Sequence, residues 1–569
     1  MLPTKHVFSC ETSHGWRRFC SSLVIDAQHE KPKGRYDAVI VGGGHNGLVA
    51  AAYLAKSGKT VAVLERRHVI GGAAVTEEIV PGFKFSRASY LLSLFRPQVM
   101  NDLKLVKHGL RWHRKDPVFF SPILGTKRSL TLGSGMHFNQ EQISRFSKRD
   151  AENYPRYEHW MGEICSHIEQ LMDIEPTDLT KTSRLDQWRQ IYTLYKILRP
   201  LGVRGAMDLY EIMTSPISKV LNQWFDSDIV KSTLATDAVT GFAASPHTAG
   251  GGYVLLHHVM GGVDGHQGVW AFAIGGMGAV SEAIAKSAKS EGVEIFVNAP
   301  VKQILTDPDK SVRGVQLDTK QQIEADVVLS NATPHVTFEK LVHESELPRT
   351  FRQAVRAVDY TSPVTKLNVA VSSLPNFTAI PNPSDNKPLP HHQTTIHLNC
   401  ESMDVTHQAY VDMVGGNYSN RPFIEMTIPT SVDPSLVTIE GSHVITLFTQ
   451  YTPYKLKDAS WDKDTIEKYA RHVFSQIDQY APGFEKSIVG YECLPPPELE
   501  RIFGLTGGNI FHGSMSLDQL FWSRPMTNWA NYRTPIAGLY LCGSGAHPGG
   551  GVTGSPGRLA AKAVLHDRK

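Results

Sequence analysis

The sequence is poor in cysteine, and its cysteines are widely spaced. Six occur in 569 residues, at positions 10, 20, 165, 400, 493 and 542. This spacing excludes a zinc-type cysteine pair and a closely spaced redox-active dithiol, so it argues against an enzyme of disulfide exchange. Scattered cysteines in a chain of this length indicate a reducing compartment.

Long apolar runs and a charge excess are also missing. No stretch approaches the ~18–20 apolar residues that a membrane-spanning helix needs, so we expect a soluble chain or one that touches a membrane from one side. The 58 basic residues nearly balance the 55 acidic ones, which predicts no nucleic-acid partner. Hydrophobic residues, in contrast, make up 41% of the chain, enough for two or more domain cores.

Residues 1–35 lack strand or helix periodicity and the ~7–15-residue apolar stretch of a secretory signal. Basic residues, among them Arg17 and Arg18, outnumber the single acid within the first 23 positions. Two interpretations stay open: a disordered leader without a role, or a mitochondrial presequence processed near Ser21. We expect a mitochondrial protein, in the matrix or on the matrix face of the inner membrane.

Folding is predicted to start at Tyr36, with a strand–turn–helix–strand unit. The segment YDAVIVGGGHNGLVAAAYLAKSGKTVAVLERR predicts a strand over 36–41, a helix over 46–57 and a strand over 60–65. The first strand is continuously apolar, as expected of a parallel strand buried on both faces.

Gly42, Gly44 and Gly47 supply the G-x-G-x-x-G pattern within this unit. They permit a tight turn, the approach of a pyrophosphate to the backbone, and close helix–strand packing, with phosphates at the helix amino terminus. Glu65 ends the second strand, where a carboxylate accepts ribose hydroxyls and repels the 2′-phosphate of NADP. We count the adjacent Arg66 among the cofactor-binding residues.

Two further segments indicate FAD rather than NAD. Gly71 and Gly72 follow the acidic strand end and allow a second close approach to a cofactor, as flavoproteins require. The segment 538–552, GLYLCGSGAHPGGGV, then predicts a strand over 538–542 and a helix from about Thr553 whose amino terminus faces the flavin. The expected contacts in this segment are Gly543, Ser544, Gly550, Gly551 and Val552.

Residues 270–305 look like a second nucleotide fingerprint, but Ser281 stands where its third glycine belongs. No acid follows at the expected distance. We therefore expect a helix over 278–290 packed on the first unit, and a strand over 293–298 that leads to Val301. The backbone of Val301 is predicted to contact the adenine, and the following residues to form a β-meander.

These motifs, with PGFKFSRASYLLS and GGMGAV between them, resemble the carotenoid/retinoid oxidoreductase family, the phytoene desaturase and carotenoid isomerase-like branch of FAD oxidoreductases. The resemblance covers nearly the whole chain from Tyr36 and implies FAD contacts at the positions named above. Two departures loosen its bearing on substrate: Ser544 where many relatives have aspartate, and Ala546 in place of a threonine.

The resemblance implies an α/β fold: a Rossmann-type flavoprotein with two dinucleotide-binding domains and an interleaved α+β substrate domain. The predicted FAD-binding parts are 36–99, 269–344 and 534–569, and the predicted substrate-domain parts are 100–268 and 345–533. The segment RLDQWRQIYTLYKILRPLGVRGAMDLYEIM predicts amphipathic helices. We favour helices packed on the substrate domain, with a membrane-touching face as the alternative.

Catalytic candidates are few. His547 lies beside the predicted flavin wall, as an acid/base or equally as a structural histidine, and Lys366 lies early in a strand, as a group that activates oxygen or as a solvated lysine. His257 and His258 lack a third ligand, so no metal site is predicted.

The leading hypothesis is an FAD enzyme that desaturates, saturates or isomerises an apolar, isoprenoid- or lipid-like substrate. The alternatives are an amine oxidase-like flavoenzyme that uses Lys366, and a flavin-loaded regulator or assembly partner without turnover. Family resemblance does not decide among them, because one scaffold serves several reactions.

Overall fold

Two large sheets organise residues 23–176 and 183–568, which the structure, a computed structural model, describes. The cofactor sheet contains, in spatial order, strands Ile25–Asp26, Glu294–Val297, Val61–Leu64, Arg35–Val41, Gln322–Ser330, Val312–Leu317 and Val301–Thr306, with Leu539–Leu541 also paired to Gln322–Ser330. Its strands are parallel except for the meander formed by Val301–Thr306, Val312–Leu317 and Gln322–Ser330. Val39 and Ile40 are fully buried, as their apolar pattern predicts.

The substrate sheet contains, in spatial order, strands Ile488–Leu494, Val364–Val371, His443–Gln450, Phe423–Thr427, Thr395–Leu398, Phe119–Pro122 and Ser129–Leu132. Its pairs are antiparallel except for Thr395–Leu398 beside Phe119–Pro122. Smaller two-stranded sheets join Thr76–Val80 to Phe83–Ser86, Trp112–Arg114 to Ala271–Ala273, and Gly262–Val263 to His266–Gln267. Chain segments far apart in sequence thus build one surface.

Helices cover the cofactor sheet. His45–Lys56 packs between Gly278–Ser290 and Ser555–Asp567. The close approach at Ser555–Asp567 requires glycine, because a Cβ on Gly557 would lie 2.1 Å from the Asn46 carbonyl oxygen. The last helix of the chain is therefore part of the first nucleotide-binding unit.

The remaining helices lie mainly around the substrate sheet. They are Pro97–Asp102, Met136–Ser144, Lys148–Ile168, Arg184–Leu198, Gly202–Thr214, Ile217–Trp224, Asp228–Val239, Gly251–Val259, Pro334–Val336, Arg349–Arg356, Met403–Val414, Lys463–Tyr480, Phe484–Ser487 and Pro496–Phe503. Four of them, Lys148–Ile168, Ile217–Trp224, Asp228–Val239 and Gly251–Val259, share one apolar core. In the described part of the chain, no helix is both long and apolar enough to cross a membrane.

The predicted elements of the cofactor unit are found within one or two residues of their expected bounds. The exception is the start of the fold. Residues 1–35 were predicted to precede it, but Ile25–Asp26 pairs in parallel with Phe296 and Val297, and Leu23 packs against the core. This correction applies to residues 23–35, because Arg17, Arg18 and Ser21 lie outside the described residues. The domain boundaries stay predictions.

Helices Arg184–Leu198 and Gly202–Thr214 pack against Lys148–Ile168 and Gly251–Val259, respectively, as we favoured, but each also exposes apolar side chains. Trp188 is 69% exposed and Val203 84% exposed. The side chains that face solvent are Leu185, Trp188, Ile191, Tyr192, Tyr195, Val203, Met207 and Tyr210, here called the aromatic face. These two helices therefore carry apolar surface that the described residues do not cover.

Candidate functional site

The first glycine turn has the geometry that its pattern predicts. Gly42 has φ +98°, a conformation that favours glycine. A Cβ on Gly47 would lie 2.3 Å from the Gly42 carbonyl oxygen, so this glycine permits the helix to pack on the strand. Gly44 lies on the wall of a cavity beside this turn, here called the cofactor cavity. No side chain caps helix His45–Lys56, which leaves its first N–H groups to a ligand.

Glu65 is buried at the end of Val61–Leu64, on the wall of the same cavity. The backbone N–H of Gly43 donates to Oε2 at 2.8 Å, and the N–H of Arg67 donates to Oε1 at 2.9 Å. The carboxylate is therefore fixed where a ribose would meet it. Arg66 also lines this cavity, and its guanidinium donates to the Ile502 carbonyl oxygen at 2.7 Å.

Gly71 and Gly72 form the second close approach. Gly71 has φ +111°, and a Cβ there would lie 2.3 Å from the Ala74 carbonyl oxygen. A Cβ on Gly72 would lie 3.2 Å from Gly44 Cα. Substitution at either position would disturb the loop or narrow the space beside the first glycine turn.

The C-terminal segment contributes some residues to the cavities and others to packing. Ser544 accepts a hydrogen bond from Asn46 Nδ2 at 3.0 Å. It lines both the cofactor cavity and a second cavity, which is described below. Gly551 and Val552 line only the second cavity. Gly543 and Gly550 are closely packed: a Cβ on Gly543 would lie 2.6 Å from the Asn331 carbonyl oxygen, and one on Gly550 would lie 2.4 Å from Phe511 Cα. Their contacts with FAD stay predictions.

The cofactor cavity has a volume of about 390 Å³. Val301 lies on its wall together with Asn331, and the contact of the Val301 backbone with the adenine stays a prediction. Three buried atoms on this wall, His45 Nε2, Asn46 Oδ1 and His512 Nδ1, have no hydrogen-bond partner among the described residues. Buried polar atoms are almost always paired, so these three fit a polar ligand such as a dinucleotide. Sequence reasoning missed His45 and Asn46, although both stand inside the glycine pattern.

A second cavity, here the substrate cavity, has a volume of about 150 Å³ and shares wall residues with the first. The shared residues are His45, Ala73, Leu505, His512 and Ser544. A cofactor that extends past these residues reaches the substrate cavity. Most of its other lining is apolar, including Phe119, Trp270, Phe448, Leu499 and Ile510.

One wall of the substrate cavity is a row across the substrate sheet. Lys366 pairs with Phe448, Phe448 with Glu425, and Glu425 with His397. Residues paired directly across strands point to the same face, and all four line the cavity. The row therefore places the amine of Lys366, the carboxyl group of Glu425 and the imidazole of His397 beside the ring of Phe448.

Lys366 is buried on this row. Its Nζ donates to Asn368 Oδ1 at 3.1 Å and lies 5.1 Å from the centre of the Tyr90 ring. Burial lowers the pKa of Lys366 to about 7, so part of the population is neutral near physiological pH. The solvated lysine that the sequence left open is therefore wrong.

Sequence reasoning missed the carboxyl groups of this cavity. Tyr90 donates to Glu425 Oε1 at 2.8 Å, and burial raises the pKa of Glu425. Burial also raises the pKa of Asp237 to about 6, while the nearby Lys115 lowers it. Lys115 lies behind the wall and donates to Thr395 Oγ1. No local motif marks these residues, which come from one helix, two strands and two loops.

His547 lies outside both cavities. Its Nε2 is 2.8 Å from the Leu171 carbonyl oxygen, and its ring packs against Phe521. Burial lowers its pKa to about 4. This geometry fits the structural histidine that the sequence left equally open. Among the described residues, no group of three His, Cys, Asp or Glu side chains is arranged to hold a metal ion.

The chain was compared with known proteins. A family model for an NAD(P)-binding Rossmann-like domain matches residues 40–104, and one for flavin containing amine oxidoreductase matches residues 221–411. A putrescine oxidase structure shares the fold, with a TM-score of 0.59 at 16% identity over 95% of this chain and all of that one. Fold and site thus define an FAD-dependent oxidoreductase, which confirms the predicted fold class and cofactor.

Relatives of known sequence give a narrower family. The rat pyridine nucleotide-disulfide oxidoreductase domain-containing protein 2 is 53% identical over 94% of each chain. This chain belongs to that family. Prolycopene isomerase of Daucus carota is 23% identical over 91% of this chain and 77% of its own, which agrees with the predicted carotenoid isomerase resemblance.

Disulfide chemistry finds no support in the described residues. Cys165, Cys400, Cys493 and Cys542 are all buried as free thiols. Burial raises the pKa of each of these thiols, which disfavours the reactive thiolate. The other two cysteines lie outside the described residues.

Proposed function

We propose that this chain is a mitochondrial FAD oxidoreductase that desaturates, saturates or isomerises an apolar, isoprenoid- or lipid-like substrate. The observation that carries the proposal is a largely apolar cavity that shares wall residues with the cofactor cavity. When bound, FAD supplies a ring that accepts or returns a hydride. The protein holds the dinucleotide through its glycine turns and Glu65, and encloses the substrate among aromatic and aliphatic side chains that exclude water.

The test is an anaerobic screen of the purified FAD-loaded protein against mitochondrial lipid extract. Loss of the flavin absorbance band near roughly 450 nm, with a product found by mass spectrometry, supports the proposal. A flavin that stays oxidised calls for the same screen with pre-reduced flavin. No reaction in either direction favours a flavin-loaded regulator or assembly partner instead.

An amine oxidase-like activity is the second candidate, and Lys366 favours it. Its amine lines the substrate cavity, and burial lowers its pKa to about 7. Replacement Lys366→Met is expected to abolish peroxide formation from an amine substrate if this candidate is correct. Unchanged peroxide formation excludes it. Lys302→Met, on an exposed strand position, is the control.

The proposed mitochondrial location rests on the basic residues at the start of the sequence. A variant with Arg17→Glu and Arg18→Glu is expected to stay in the cytosol, while Lys31→Glu is imported like the unaltered chain. Fractionation of cells that express each chain measures this. Equal import of all three would contradict the presequence.

The aromatic face supports a peripheral membrane contact. Lys196 lies 4.6 Å from the centre of the Tyr192 ring, and Arg199 lies 5.7 Å from that of Tyr195. Exposed aromatic and basic side chains together suit an anionic lipid surface. This contact would bring a lipid-soluble substrate to the protein.

Flotation with phosphatidylcholine vesicles, with and without cardiolipin, tests this contact. The chain is expected to bind the anionic vesicles, and Trp188→Ser combined with Tyr192→Ser to release it. Val414→Ser, an exposed apolar position outside the aromatic face, serves as the control. A chain that ignores both kinds of vesicle contradicts the contact.

A further inference from the structure

The polar groups of the substrate cavity are clustered rather than scattered. Glu425 and His397 are cross-strand partners, Tyr90 donates to Glu425, and His258 Nδ1 lies 2.6 Å from the Asp237 carbonyl oxygen. These five residues line the cavity. A pure hydrocarbon offers no partner for such a wall, and burying unpaired polar groups against it costs free energy.

Around this cluster, most polar groups already have a partner, but Asp237 and His397 do not. Glu425 is held by Tyr90, Lys366 by Asn368, and Lys115 by Thr395. The carboxylate of Asp237 has no hydrogen-bond or ion-pair partner in the described part of the chain, and neither ring nitrogen of His397 has a hydrogen bond there. A free acceptor therefore faces the cavity together with an unpartnered imidazole.

The two free groups match a hydroxyl. Burial lowers the pKa of His397 to about 3, so its ring is neutral and carries one N–H donor. A hydroxyl donates one hydrogen bond and accepts others, so it satisfies a carboxylate and an imidazole N–H at once. Lys115 lies close enough to lower the pKa of Asp237 and offsets its charge. A neutral group therefore fits this wall better than an ammonium group.

We propose that the substrate is an apolar molecule with a hydroxyl group, and that Asp237 accepts the hydrogen bond of that hydroxyl and sets the specificity. This inference rests on the proposed function and narrows its substrate class. Asp237 acts here as a specificity-determining residue for binding.

The test measures binding, so it does not depend on turnover. The FAD-loaded protein is titrated by calorimetry with geraniol, its methyl ether, geranylamine and the parent hydrocarbon 2,6-dimethyl-2,6-octadiene. Geraniol is expected to bind about tenfold more tightly than the ether and the hydrocarbon, and also more tightly than the amine. In Asp237→Asn the preference for alcohol over ether is expected to shrink to about twofold.

Asp228→Asn, an exposed position on the same helix, is the matched control and is expected to keep the full preference. Bound FAD and the urea unfolding curve establish that each variant is folded. The comparison of ligands on the unaltered chain stands even if Asp237→Asn does not fold.

Equal binding of alcohol and ether, tighter binding of the amine, no binding of geraniol, or a folded Asp237→Asn that keeps the preference would overturn the inference. Failure of the proposed function looks different. In that case lipid extract neither reduces the oxidised flavin nor oxidises the pre-reduced flavin, whether or not the alcohol preference is present.

Discussion

The cofactor cavity and the substrate cavity share wall residues but are built by different means. Backbone dominates the first: glycines at 42, 44, 71 and 72 line it without a side chain. Side chains dominate the second, and Lys366, Phe448, Glu425 and His397 meet on it from four strands. A backbone requirement leaves glycine in the sequence, whereas a side-chain wall leaves no local pattern.

The largest effect is expected from a side chain placed where the cofactor backbone is open. Gly44 has φ −69°, which any residue adopts, and a Cβ there would lie 2.7 Å from Asn331 Nδ2 on the cavity wall. Gly44→Val therefore crowds the cavity without straining the backbone of residue 44. We expect FAD affinity to fall about a hundredfold, because the pyrophosphate must approach this position. Bound flavin after dialysis measures it. Gly34→Val, with nothing within 4 Å of the added Cβ, should keep its flavin, and equal retention would place the pyrophosphate elsewhere.

A smaller loss is expected from Glu65→Gln. The glutamine amide keeps one acceptor, so it cannot satisfy the N–H groups of both Gly43 and Arg67 and still accept from the ribose. FAD affinity should fall about tenfold. Glu324→Gln, exposed on a strand of the same sheet, is the control. An unchanged FAD affinity in a folded Glu65→Gln would contradict the ribose role.

In the substrate cavity, Lys366 is expected to weaken the fold near neutral pH. Its pKa of about 7 lies below the value of an unfolded lysine, so between these two values the unfolded state binds more protons and stability rises with pH. Lys366→Met should therefore be more stable than the unaltered chain at pH ~7, and this advantage should shrink towards pH ~10. Urea unfolding at both values measures it. An advantage that does not change with pH would contradict a buried, titrating amine, and Lys302→Met should show none.

The smallest effect concerns the pH dependence of alcohol binding. Asp237, with a pKa of about 6, is ionised above that value and loses its charge below it. The preference for geraniol over its ether should therefore decline as the pH falls through this value. The groups that interact with Asp237 are Lys115, Tyr90, Tyr157, Glu425 and His258. Asp237→Asn retains all of them, so a flat preference in that variant assigns the dependence to Asp237.

The sequence predicted the cofactor region closely because its constraints are local. Strand, glycine turn, helix and acid follow one another within 36–65, and the late glycines precede a packed helix. Glycines that permit close packing within the protein were harder to distinguish from glycines that were expected to contact FAD. Gly543 and Gly550 share the composition of their neighbours, and only their three-dimensional surroundings show that they face Asn331 and Phe511.

The substrate region could not be predicted in the same way. Asp237 lies on a helix and Glu425 on a strand nearly two hundred positions later, and each looks like an ordinary charged residue. Lys366 was found because a strand pattern surrounds it, and its burial was not predicted. The aromatic face was recognised as amphipathic, but sequence alone does not say whether another part of the chain covers it.

The most direct test examines cofactor binding and substrate access in one experiment. Mitochondrial lipid extract is added without oxygen to the unaltered chain and to Ala88→Phe, which places a ring in the substrate cavity. We expect both proteins to hold FAD and only the unaltered chain to lose its flavin absorbance. Equal loss in both would place the substrate elsewhere. In the unaltered chain, no loss of absorbance from oxidised flavin together with no recovery from pre-reduced flavin would contradict an oxidoreductase.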